Sequence, residues 1–194
     1  IPTNATRRNE PLSSDDGTSM THEFDAIVIG AGPSGEVCAG RLGEAGLAIA
    51  VIEGHLVGGE CSYYGCMPSK ALLRPAEALD EVKRIPGAAE AVTGELDAQA
   101  VLRRRDEVVH DLDDSVQLPW LEQRGVTLVR GHGRIAGERT VVVGELTLTA
   151  RRAVVVATGS TALIPPVPGL AEASPWTNHE GTTSHEIPAR LIVL

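Results

Sequence analysis

Aromatic residues are scarce in this 194-residue chain: one Phe, two Trp and two Tyr make up 3% of it. A core without them must be filled by Ala, Val, Leu and Ile, the side chains of helices packed on a parallel sheet. Cysteine is equally sparse. Cys38, Cys61 and Cys66 are too few and too unevenly placed for a secreted disulfide framework. The close pair points instead to redox chemistry or to a metal, and metal is the weaker reading because the six histidines form no Cys/His cluster. Long hydrophobic runs are missing, none approaching the roughly 18 to 20 residues of a membrane helix. With no secretory start either, the expectation is a cytoplasmic protein without a membrane partner. Basic residues are in deficit, 17 Lys plus Arg against 26 Asp plus Glu, for a formal charge of −9. Self-repulsion from polyanions argues against nucleic acid as a partner.

What remains is a chain of ordinary globular composition, 42% hydrophobic with 21 Gly and 12 Pro. Residues 1–22 are polar, without apolar spacing, and read as a disordered extension, with Met20 as the natural start. From Phe24 the pattern changes. Asp25 to Gly30 is a short apolar strand, a helical stretch runs to about Gly46, and Ala48 to Glu53 is a second buried strand. Together they make a βαβ unit with a right-handed crossover.

Pro68 to Ile85 reads as helix with a kink at Pro75, and Leu96 to Arg124 as largely helical, with Leu102, Val109, Leu112 and Val116 near one face. Short strand-like runs over 126–157 suggest a small antiparallel meander returning to a buried strand at Ala153 to Ala157. The Pro-rich 164–169 and polar 172–186 stretches read as a connector, and Leu191 to Leu194 as a new strand.

Gly30, Gly32 and Gly35, with Pro33 and Ser34 between, match G-x-G-x-x-G after a strand and at the opening of a helix. The first glycine permits the tight turn, the second lets backbone approach a pyrophosphate, and the third allows helix to pack on strand. The helix N-terminus supplies free N–H groups and partial positive charge to the anion. Glu53 closes the second strand 18 residues beyond Gly35, where a carboxylate can accept from ribose hydroxyls. This spacing fits FAD and NAD equally.

Cys61 and Cys66 are separated by four residues and followed by Met67, Pro68, Ser69 and Lys70. If Cys66 opens the helix entered through Pro68, the helix dipole and a nearby Lys70 favour its thiolate, the species needed for disulfide exchange. Cys38, on the apolar face of the first helix with Leu42, reads as a packing residue.

With DAIVIGAGPSG, VIEGHLVGGECSYYGCMPSK, VVVATGS and TNHEGTTSHEIPARLIVL in that order, residues 23–194 resemble the class I pyridine nucleotide-disulfide oxidoreductases. The resemblance implies an α/β fold: a Rossmann-like FAD-binding domain with parallel sheet, crossover helices and a small antiparallel β-meander. It implies that the dinucleotide is FAD, held by the glycine turn, Glu53, Gly59, Lys70, Gly133 and the Thr158, Gly159, Ser160 strand end. Cys61 resembles the interchange thiol and Cys66 the charge-transfer thiol, with Lys70 near the flavin. Electrons would pass between NAD(P)H and a small-molecule disulfide or related substrate, in a homodimer.

Two departures stand out. Glu60 replaces the usual Thr before the first cysteine, where a second negative charge should turn away from phosphate or bind through water or a cation. Tyr63 and Tyr64 replace a small polar and aliphatic pair. No second glycine motif follows, and His185 with Glu186 precedes Pro188 in the connector rather than forming an acid/base pair. The expected organisation is therefore an extension (1–22), an incomplete FAD-binding domain (23–186) and the first strand of a nicotinamide domain (187–194). A standalone dinucleotide-binding module and a flavin oxidoreductase not using the Cys pair are the alternatives.

Overall fold

The computed structural model describes residues 21–194. The extension read over 1–22 and the start at Met20 lie outside the described residues, apart from Thr21 and His22. In chain order the elements are β1 (Thr21–Ile29), α1 (Pro33–Glu44), β2 (Ile49–Glu53), α2 (Gly59–Tyr63), α3 (Cys66–Lys83), α4 (Ala98–Val108), α5 (Leu118–Glu122), β3 (Val126–Arg130), β4 (Arg134–Gly137), β5 (Thr140–Val143), β6 (Leu146–Val156) and α6 (Asn178–Thr183). Among the described residues they divide into two compact units, residues 21–59 with 114–159 and residues 60–113 with 160–194.

The first unit carries one six-stranded sheet of order β3-β2-β1-β6-β5-β4. β3, β2, β1 and β6 run parallel, whereas β4 and β5 extend the sheet antiparallel from β6. Alternation along β1 explains how the sheet buries both faces. Ala26 and Val28 pack with Ala39 of α1 and Leu121 of α5, while Phe24, Ile27 and Ile29 pack with Val141, Val143 and Leu148. Ile27, Val28, Ile49, Val51 and Ile52 are at most 1% exposed, each contributing about 1.5–3 kcal/mol through apolar burial.

Four expectations are corrected here. Thr21 and His22 belong to β1, not to the extension, because β6 continues past the bulge and pairs them with Thr147 and Leu148. Val126–Arg130 is no part of the meander; it lies parallel to β2. The two runs expected at 146–149 and 153–157 are one strand, β6. Its second half is not fully buried, Val156 being 60% exposed.

The second unit contains α3, α4 and α6. α3 begins at Cys66 and carries Pro68 in its first turn, where a missing N–H leaves no bond unmade, and it continues through Pro75. Arg104 Nη1 donates to Ala71 O (3.0 Å), tying α4 to α3. The helix expected over 96–124 is broken. His110, Asp111 and Leu112 all take positive φ, which no helix continues through, and there the chain leaves one unit for the other. Leu191–Leu194 forms no strand, since no described strand pairs with it.

Candidate functional site

In the first unit the strand ends gather a glycine-lined cradle. Gly30, at φ +100°, donates its N–H to Ile52 O (2.8 Å) and turns the chain from β1 toward α1. A Cβ on Gly35 would lie 1.8 Å from Gly30 O, so α1 can start against the strand end only with glycine there. Gly32 is the N-cap of α1 and offers no side-chain cap, leaving the first N–H groups of a twelve-residue helix, which includes Pro33, Ser34 and Gly35, available to an anion. A Cβ on Gly32 would meet no other atom of the chain, whereas one on Gly59 would come 2.9 Å from Gly32 Cα. Gly58 N–H, bonded to Ala31 O (2.7 Å), holds this second backbone approach in place.

Glu53 braces the turn directly. Its Oε2 accepts from Ala31 N–H and its Oε1 from His55 N–H, both at 2.7 Å. Each oxygen keeps a lone pair, enough for two ribose hydroxyls. Glu36, which sequence reading passed over, is held above the usual carboxylate range by burial and by the Glu53 charge. A 2′-phosphate would meet this acidic surround unfavourably.

The remaining strand ends complete the first unit's contribution. Gly133 sits with its Cβ position 3.2 Å from Ile29 and Ile52 Cγ2, so its backbone lies close over β1 and β2. Thr158 and Gly159 follow β6 and are exposed, with Ala157 N–H bonded to Ile29 O (2.8 Å). The loop after β2 is clamped by Asp114, which accepts from Val57 N–H (2.7 Å) and from both terminal nitrogens of Arg130, while Arg130 Nη1 also reaches His55 O.

Burial raises the Asp114 carboxyl, but the hydrogen bonds from Arg130 and Val57 outweigh it and leave the group below its ordinary range. Such a group stabilises the fold above the unfolded carboxylate pKa and loses that contribution as pH falls through the folded value. Asp114→Asn should therefore unfold at lower urea than the parent chain at neutral pH, with the two midpoints converging as the pH falls below the ordinary aspartate range.

In the second unit the two cysteines are free thiols, Cys61 half-buried in α2 and Cys66 exposed at the first position of α3. The contact with Cys66, aided by burial, holds the Cys61 thiol above its usual range against the opposing pull of Lys70. The positive end of α3 lies at Cys66. Ser160 is exposed in this unit, away from any helix or strand.

Sequence reading missed α6 inside the polar connector. The signal was present as Thr177-x-x-Glu180, a capping box: Thr177 Oγ1 accepts from His179 N–H (3.2 Å), and Thr177 N–H donates to Glu180 Oε2 (2.7 Å). The bonds from Thr177 hold the Glu180 carboxyl at about 2. α6 also supplies the partners of Glu60. Glu60 Oε1 pairs with His179 Nε2 and Oε2 accepts from Asn178 Nδ2 (2.9 Å), so the side chain turns onto two protein groups. His185 Nδ1, beyond the end of α6, lies 3.6 Å from Asp106 Oδ2 of α4.

These features meet in one family. The chain belongs to the pyridine nucleotide-disulphide oxidoreductases, whose sequence profile matches residues 24–194. Members of this family are oxidoreductases that use FAD and NAD(P)H. The dihydrolipoyl dehydrogenase of Acholeplasma laidlawii is 35% identical over 156 residues, 79% of this chain and 46% of that protein. The mercuric reductase of Acidithiobacillus ferrooxidans is 34% identical over 190 residues, 92% of this chain and 35% of that protein. Among solved structures, the Cu(II) complex of the HOCl-induced flavoprotein disulfide reductase RclA from Escherichia coli superposes with a TM-score of 0.61 at 25% identity, over 76% of this chain and 30% of the other. The fold is that of the Rossmann-like flavoprotein reductases. The chain spans less than half the length of either sequence relative.

Proposed function

We propose that the chain is the FAD-binding portion of an enzyme that passes electrons between NAD(P)H and a small-molecule disulfide or related acceptor by way of Cys61 and Cys66. The observation that carries the reading is the thiol pair itself, Cys61 in contact with Cys66 and Cys66 at the N-terminus of α3. The cradle residues fit a dinucleotide: an uncapped helix N-terminus for the pyrophosphate, Gly32 and Gly59 for close backbone approach, Glu53 for ribose and Gly133 for adenine. When bound, the flavin would take up or release the electron pair that interconverts the dithiol and the disulfide.

The chain's own groups divide the remaining work. Cys61 gives up its proton and attacks the substrate disulfide; Cys66 is the thiol facing the flavin; the Lys70 ammonium, Thr158, Gly159 and Ser160 are assigned to holding the cofactor. An extension over 1–20, an FAD-binding region over 21–186 and a nicotinamide region opening at 187–194 complete the proposed organisation, in a cytoplasmic homodimer. No helix among the described residues is long and apolar enough to cross a membrane.

Anaerobic reduction of the FAD-loaded protein should produce a long-wavelength thiolate–flavin absorbance band. Cys66→Ser should remove the band while FAD stays bound. A band unchanged in that variant would overturn the role given to Cys66.

A further inference from the structure

Glu60 stands directly before Cys61, where the family pattern has Thr. Its carbonyl accepts from Tyr64 N–H (2.9 Å) and Gly65 N–H (2.6 Å), so one peptide group closes the stretch between the two cysteines. A Cβ on Gly65 would lie 3.1 Å from that same oxygen. The side chain is gripped from α6 by His179 and Asn178. The His179 ring lies flat on Tyr64, with centroids 3.9 Å apart and planes 6° from parallel. Tyr64 O accepts from Thr182 Oγ1 (3.0 Å) and Asn178 Nδ2 (3.3 Å). α6 is fixed at both ends, by Thr177 and Glu180 at its start and by Arg105, which donates to Thr182 O and to Ser184 O (2.9 Å), at its finish.

We propose that Glu60 and His179 are positioning residues for the dithiol: their pair holds the inter-cysteine turn, and the charge on His179 sets how readily Cys61 forms its attacking thiolate. The proposal rests on the reading of Cys61 as the interchange thiol. A carboxylate one residue from a thiol opposes its ionisation. Protonated His179 cancels that charge; neutral His179 leaves it standing. Histidine is the side chain that changes charge between about pH 5 and 8. The charged and titratable groups that interact with these residues are Cys66 and Lys70 of α3 with Cys61, Tyr64 with Glu60, and Glu180 with His179. Of these, Glu180 is ionised throughout that range. Tyr64, raised by burial and by the Glu60 charge, is neutral throughout it.

The test needs no flavin. In the Cys38→Ser/Cys66→Ser chain, Cys61 is the one thiol. Its thiolate attacks the disulfide of dithiobis(nitrobenzoate), forming a mixed disulfide and expelling one thionitrobenzoate, with no net gain or loss of electrons. Release is followed across about pH 5.5 to 9, the range containing the histidine transition. His179→Gln, which leaves the Glu60 charge in place at every pH, should lower the rate near pH 6 and leave it unchanged near pH 9. Each unit of thiol pKa removes tenfold of the thiolate and returns about threefold in nucleophilicity, for a net loss of about threefold. Glu60→Gln should raise the rate near pH 7.5, below the ordinary cysteine pKa of about 8.5, by a similar factor. His179→Phe keeps the stack on Tyr64 without the charge and should follow His179→Gln. Circular dichroism checks that each variant is folded. A His179→Phe profile that matches the parent, or a His179→Gln profile that does, overturns the proposal. Failure of the Cys66 band experiment with these profiles intact would instead remove the flavin reading and leave the positioning role standing.

Discussion

Gly35→Ala is expected to abolish FAD binding and to destabilise the first unit by about 3 kcal/mol, the upper range for overpacking in a core. The added Cβ would lie 1.8 Å from Gly30 O and 2.9 Å from Gly30 C. Both are backbone atoms, so no rotamer change relieves the contact. Gly30 cannot retreat, since its own Cβ position is 2.3 Å from Ala157 O and its φ is +100°. The helix must therefore move off the strand ends, carrying its uncapped N-terminus out of register with Glu53. Gly32→Ala makes the contrasting case. Its backbone, at φ −73° and ψ 179°, suits any residue, and a Cβ there meets no other atom of the chain. It should leave stability within about 0.5 kcal/mol of the parent, or slightly above it, while lowering FAD affinity through loss of close approach to the pyrophosphate. Urea midpoints and fluorescence of released FAD separate the two effects. Gly35→Ala with the parent midpoint, or Gly32→Ala with the parent affinity, would remove the division of labour argued for this turn.

The tasks of Gly30 and Gly35 were legible in the sequence because each is local: the turn follows a buried strand and opens a helix. The parallel β1–β2 pair was legible for the same reason, its apolar runs being too continuous for a one-sided sheet. What escaped depended on distant partners. β3 has the composition of a meander strand, and only Ile49–Glu53 beside it makes it parallel. The segment over 96–124 keeps a helical pattern through His110–Leu112, yet the chain must there pass from one unit to the other, and positive φ values break it. Glu53 was read as a ribose ligand, but its grip on the Ala31 and His55 N–H groups needs the folded turn to be seen. The turning away expected of Glu60 was likewise half the account. Its partner His179 lies 119 residues on, in a helix whose capping box is the one local sign of it.

The second large effect belongs to Arg105, which the helical pattern of α4 does not distinguish from its neighbours Arg103 and Arg104. Its side chain is 1% exposed, and it spends every nitrogen: Nε on Asp106 Oδ1 (2.7 Å), Nη1 on Thr182 O and Nη2 on Ser184 O. Arg105→Met retains the apolar stem but strands two carbonyls and a carboxylate. Breaking a buried charged pair of this kind costs about 3–5 kcal/mol, so the second unit should unfold at clearly lower urea. Arg103→Met is the matched control: Arg103 is 66% exposed and lies 3.8 Å from Asp97, so its loss should change stability by less than about 1 kcal/mol. The functional consequence runs through α6. Once Thr182 and Ser184 are released, amide exchange over residues 177–184 should rise before global unfolding, and with it the mobility of His179 against Glu60 and Tyr64. The Cys61 probe rate near pH 6 should then fall toward the His179→Gln value even where the chain remains folded. Equal urea midpoints for Arg105→Met and Arg103→Met would show that the buried guanidinium does not hold α6. Unchanged exchange over 177–184 would show that the capping box alone suffices.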